Sequence, residues 1–122
     1  MAKSKVSHNK RIELLDYILP SALASRQGTK YIGGLLSFTY RTDNSYDKNP
    51  IVYVTSINMK ERLLHGFNIN YLIPSSVKSL LNEELSLFGK KNLKHYRLYE
   101  NSIRTYKMDH MKAMRLAEYN DE

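Results

Sequence analysis

Four histidines and one cluster of acidic side chains are the residues of this sequence whose chemistry has to be weighed first. His8, His65, His95 and His110 carry imidazoles suited to proton transfer or metal binding. A zinc-binding helix, however, needs two of them one turn apart on a single face, and these four are scattered over separate segments. Asp43 and Asp47 fall in the stretch DNSYDKNP with Asn44, Ser45 and Asn49. A divalent ion wants three or more oxygen ligands at defined spacing. Between two hydrophobic runs the same residues are ordinary turn formers, and we read them as a turn. A metal-dependent nuclease using Asp43, Asp47 and His65 stays as a distant alternative. His65, beside Gly66, is otherwise read as a half-buried strand histidine with one hydrogen bond.

Other catalytic patterns fall short. With no cysteine in the chain there is no disulfide framework, no thiolate metal site and no thiol nucleophile. Gly33-Gly34 lacks the Lys-Ser or Lys-Thr of a phosphate-cradling loop. Tyr31-Ile32-Gly33 resembles the YIG element of a family of DNA nucleases, but the paired Gly-Ile-Tyr is missing upstream. The expectation is a protein that is not an enzyme, with no metal and no cofactor.

Stronger chemistry lies near the C-terminus, where tyrosines alternate with cations in Lys94-His95-Tyr96-Arg97 and Arg104-Thr105-Tyr106-Lys107. Cations neutralise phosphates while tyrosines stack on bases or pack at a protein interface. Lys90, Lys91, Lys94, Tyr96, Arg97, Arg104, Tyr106 and Lys107 are the expected nucleic-acid or partner-binding set. A tyrosine-rich core stripe with a solvated basic face explains the pattern equally well. Met108, Met111 and Met114, three apart, are read as core.

These residues have to be positioned by elements that the pattern outlines. Residues 1–10 are polar, basic and aperiodic, which predicts a flexible arm. From Lys10, the spacing of Ile12, Leu14, Leu15, Ile18 and Leu19 predicts a helix that Pro20 ends, with Ser21 capping a short continuation. Tyr31 to Thr42 and Ile51 to Ile57 read as strands, and 62–73 as a third strand with Gly66 inside it. Gly33-Gly34 suggests a bulge or a close backbone approach. Pro74 and Ser75 announce a helix with Leu80, Leu81, Leu85 and Leu87 on its apolar face and Gly89 as its stop. A second helix is expected from about Leu93 to Tyr119, with Tyr99, Ile103, Tyr106 and His110 along one stripe. The predicted fold class is α+β: a three-stranded antiparallel meander flanked by an N-terminal helix and one or two C-terminal helices. Residues 11–122 would form that single domain, with a basic C-terminal helix.

The chain's 122 residues suit one core, and 42% hydrophobic with 25% charged residues is a normal globular balance. No apolar run approaches a membrane span, and the first residues lack a signal-peptide pattern. Nineteen Lys and Arg against twelve Asp and Glu give a net charge of +7. That field concentrates anionic partners. The charge sits at the ends, because residues 12–89 hold seven basic and seven acidic side chains.

One segment resembles a known group. Tyr46-Asp47-Lys48-Asn49-Pro50, the strand after it, and His65-Gly66-Phe67-Asn68-Ile69-Asn70-Tyr71-Leu72-Ile73-Pro74 are similar to a small protein of large tailed bacteriophages. Its pattern is an Asp-Lys-x-Pro turn, a strand, and Gly-x-Asn-x-x-Tyr-Leu before a helix. The similarity covers about residues 38–82. It implies a virion-associated or DNA-associated accessory, found in the virion or the host cytoplasm. The expected function is therefore a non-enzymatic phage structural or assembly protein that binds neighbouring subunits, DNA or both through its basic ends. A homo-oligomer is possible on this reading, and no membrane partner is expected. The alternative is a free nucleic-acid-binding accessory in phage replication or transcription.

Overall fold

The computed structural model describes residues 6, 8–43, 46–47, 49–82 and 99–120. Six strands form one antiparallel path: β1 (Ile12–Tyr17), β2 (Leu35–Arg41), β4 (Ile51–Asn58), β5 (Leu63–Asn68), β6 (Ile103–Lys107) and β7 (Met111–Tyr119). Their spatial order is β1-β7-β2-β4-β5-β6, and a two-residue β3 (Tyr46–Asp47) pairs with the far end of β2. Among the described residues two short helices, α1 (Pro20–Leu23) and α2 (Pro74–Asn82), and several 3₁₀ turns accompany the strands.

The expected α+β meander flanked by helices is therefore corrected. β1 stands where the N-terminal helix was expected. β6 and β7 replace the described part of the C-terminal helix, whose residues 93–98 lie outside the described residues, as do Leu85, Leu87 and Gly89. The physical reason is a pair of β-bulges. In β1 the register advances from Leu14 to Tyr17 while β7 advances only from Ala117 to Arg115. In β7 it advances from Lys112 to Arg115 while β2 moves only from Thr39 to Ser37. One extra residue turns the strand period of two into a local spacing of three. Met111 and Met114 thereby face the same interior. That spacing imitates one face of a helix.

Central strands behave as their composition dictates. Ile51 to Val54 are all buried, as β-branched and aromatic residues must be in a strand covered on both faces. Gly66 on β5 answers to this crowding. A Cβ there would overlap the Tyr53 carbonyl oxygen and stand 2.5 Å from Val52 Cγ1. Pro74 opens α2 one residue before the expected Ser75 cap, and the Ile73 carbonyl accepts from the Val77 amide at 3.1 Å.

The sheet is curled, and chain length requires it. β6 and β7 are joined by the three residues Met108–His110, so four Cα–Cα steps, at most about 15 Å, connect Lys107 to Met111. In a flat sheet the four intervening spacings would put the two strands about 19 Å apart. Leu36, Phe38, Val52, Val54, Leu64, Tyr106 and the three methionines fill the concave side. Leu35, Tyr53, Phe67 and Ala117 lie on the convex side under Val77 and Leu80 of α2 and Tyr99.

His8 lies in the stretch read as an arm, yet it is only 2% exposed. Its Nε2 lies 3.1 and 3.0 Å from the Ile69 and Leu72 carbonyl oxygens, and its Nδ1 lies 3.2 Å from the Tyr119 hydroxyl. Two carbonyls can only accept, so Nε2 carries a proton. Val6 also donates its amide to Asn70. These bonds tie Val6 and His8 to the turn that follows β5 and to Tyr119 of β7.

Candidate functional site

The expected binding set does not come together. Lys90, Lys91, Lys94, Tyr96 and Arg97 lie outside the described residues. Tyr106 is in the core at 4% exposure, its hydroxyl accepting from Asn68 Nδ2 at 3.2 Å, so its ring presents no face to a base. Arg104 is held on its own segment: it donates to the Asn101 and Ile103 carbonyls at 2.9 and 2.7 Å and stacks 4.7 Å over the Tyr71 ring. Lys107 is exposed, three residues further along β6 and so on the opposite face. Its amide donates to the Tyr40 hydroxyl at 3.1 Å.

Other sequence candidates resolve as structure. His65 is half-buried and bonds Thr105 Oγ1 at 3.0 Å through Nδ1. Asn68 is fully buried, and its Oδ1 caps the Asn70 amide at 3.0 Å while Asn70 Nδ2 reaches the Asn49 carbonyl at 3.1 Å. The asparagines of the Gly-x-Asn-x-x-Tyr-Leu segment therefore hold the β5 exit in place. Among the described residues no group of three His, Asp or Glu is arranged to hold a metal ion. Met108, Met111 and Met114 are core.

A groove that sequence reading did not assemble lies where β2 ends and β7 begins. Thr39, Arg41, Thr42, Asp43, Asp109, His110 and Lys112 line it, around about 740 Å³ that is broadly open to solvent. Its parts come from three places. Thr39 and Arg41 are alternate residues of β2, Lys112 is the cross-strand partner of Thr39, and His110 ends the 3₁₀ turn before β7. His110 stands edge-on to the Tyr40 ring at 6.1 Å. Arg62 Nε reaches Asp109 Oδ1 at 2.9 Å and offsets that carboxylate. Arg41 and Lys112 are both exposed. A polar cleft this open suits a chain-like ligand lying across it better than a small molecule, which is usually enclosed by apolar walls.

The overlooked residue is Arg41, which sits in the charge-neutral middle of the sequence. Its signal was present as alternation: Ser37, Thr39 and Arg41 interleave with Leu36, Phe38 and Tyr40, the pattern of a strand with one wet face. Lys112 and His110 were visible only as members of a supposed helix.

Fold and groove together define a small curled antiparallel β-domain with an open polar cleft at one end, lined by Arg41 and Lys112 together with Asp43 and Asp109. No family model, curated protein or solved structure matches the chain. No helix among the described residues is long and apolar enough to cross a membrane.

Proposed function

We propose that this is a non-enzymatic bacteriophage protein, a virion or assembly component, that binds DNA through its phosphate backbone at the cationic end of β2 and β7. One observation carries the reading: Arg41, His110 and Lys112 converge with the Thr39 hydroxyl on one open groove, where Arg62 offsets Asp109 and Asp43 is the other carboxylate of the lining. Phosphate oxygens are acceptors that such donors suit, and charge-assisted bonds to them are the strong kind. The overall charge of +7 supports the same partner. The phage setting rests on the resemblance read in the sequence of residues 38–82.

The test is fluorescence anisotropy with a labelled duplex. The two cations Arg41 and Lys112 predict that affinity falls about 12-fold between roughly 50 and 200 mM salt. Arg41→Ala with Lys112→Ala should weaken binding to every sequence alike and flatten the salt slope by about two units. Affinity indifferent to salt and to this double substitution would sink the proposal. Mass spectrometry of the purified particle checks the setting. Absence of the chain from particles, with DNA binding intact, would make it a free accessory of replication or transcription instead.

A further inference from the structure

The convex face beside the groove carries more than its cations. Register fixes which side chains stand together, because directly opposed residues in an antiparallel pair share a face. Tyr17 of β1 opposes Arg115 of β7, which opposes Ser37 of β2. Lys112 opposes Thr39, and Arg41 follows Thr39 by one alternation. These are three successive rows on one face, each about 6.6 Å beyond the last. Arg115, Lys112 and Arg41 supply one cation to each row.

Two details distinguish this strip from a merely solvated face. Tyr17 is 70% exposed, a large aromatic ring left in water on the outside of the sheet. Arg115 stands over that ring at 4.8 Å and is fixed there, since its Nε donates to the Leu15 carbonyl at 2.7 Å. That carbonyl lies in the β1 bulge, between the register positions Leu14 and Tyr17. The bulge thus orients a guanidinium whose terminal nitrogens remain available to an anion, beside a ring that a planar group can cover.

We propose that this strip is a track for single-stranded nucleic acid, with successive phosphates at Arg41, Lys112 and Arg115 and one base stacked at Tyr17. The inference rests on the DNA-binding reading above and narrows it. The row spacing is close to the interval between phosphates on an unstacked strand. A duplex keeps its base faces covered, whereas a single strand offers them to an aromatic ring. Charge complementarity selects a polyanion, and the exposed Tyr17 beside the cations selects one with free bases.

The experiment compares a labelled oligothymidine with a duplex of equal length by anisotropy, using the full chain. Binding should favour the single strand. Tyr17→Ala should cost about tenfold on the single strand and leave duplex binding unchanged, while Tyr17→Trp should retain or improve it. Arg115→Ala should weaken the single strand with a shallower salt slope. Circular dichroism confirms that each variant is folded, and Tyr17 is exposed enough for substitution to leave the core intact. Equal affinity for both probes, with Tyr17→Ala silent, overturns the track while leaving DNA binding standing. Salt-indifferent or absent binding to both probes overturns the DNA reading and the track with it.

Discussion

Tyr40 and Tyr106 meet edge to face at 4.8 Å although two strands, β4 and β5, lie between β2 and β6 in the sheet. Phe38 meets the same Tyr106 ring at 5.1 Å. Contacts between non-adjacent strands exist only because the sheet curls, and the curl brings the end of β6 to the start of β7. That juxtaposition in turn places His110 and Lys112 beside Thr39 and Arg41. The cationic groove is thus a consequence of aromatic packing on the opposite face.

Tyr106→Phe isolates the polar part of this arrangement. The ring contacts remain, but Asn68 Nδ2 loses the hydroxyl it donates to, at a site with no exposure. Losing a partner for a buried amide costs about 1–3 kcal/mol. Urea unfolding followed by circular dichroism should show a lower midpoint with an unchanged slope. A variant as stable as the parent would mean that the bond adds nothing to the β5–β6 junction.

How far the sequence disclosed this fold depended on whether a strand kept its period. β4 did, because Ile51 to Ile57 is a β-branched and aromatic run with turn formers on both sides. β1 and β7 did not. Ile12, Leu15 and Ile18, and Met108, Met111 and Met114, recur every three residues, and nothing in single-chain periodicity distinguishes a bulged strand from a helix. The site inherited the error. Tyrosines placed on a helical face were offered to a partner, whereas Tyr106 closes the core and, among the described residues, the strongly exposed ring is Tyr17. Arg41 was readable from alternation, but its neighbours His110 and Lys112 join it only through the curl, a long-range relationship no local pattern contains.

Gly66→Ala tests the closeness of β4 and β5. The new methyl would meet the Tyr53 carbonyl oxygen and Val52 Cγ1, both in the packed middle of the sheet, so neither neighbour is free to give. Overpacking of this kind costs about 1–3 kcal/mol or more. Gly33→Ala is the control, because its nearest contact would be the Tyr53 hydroxyl at 3.9 Å and its difficulty is a backbone φ of +88°. Thermal unfolding should rank Gly66→Ala well below Gly33→Ala; the reverse order would show that backbone strain outweighs crowding.

Glu13 and Glu118 are directly opposed on β1 and β7, and both are exposed. Like charges in that position repel, and an opposite pair contributes roughly 0.2–1 kcal/mol. Glu13→Lys should therefore raise stability by several tenths of a kcal/mol, with the gain shrinking as salt is added. A gain that persists at high salt would point to a cause other than charge.

The bulge in β7 makes the most direct prediction about the site. Ala113 has φ +52°, in the left-handed region, and it adjoins Lys112 of the groove and the Arg115 side of the strip. A side chain in that conformation costs about 1–2 kcal/mol relative to its usual backbone, while glycine adopts it freely but gives up about 0.5–1 kcal/mol of unfolded-state entropy. Strain relief is the larger of the two, so Ala113→Gly should stabilise the fold by up to about 1 kcal/mol in chemical denaturation. Ala113→Val adds a β-branched side chain to the same backbone and should destabilise it. If the bulge is what aims Lys112 and Arg115, the glycine variant keeps DNA affinity and its salt slope, because the geometry is retained. Deleting Ala113 would remove the extra residue and restore regular pairing, with Lys112 still opposite Thr39 and Arg115 still opposite Ser37, so both cations stay on the convex face and DNA affinity and salt slope are kept. A deletion that folds but loses affinity would show that the bulge itself, beyond strand alternation, aims Lys112 and Arg115.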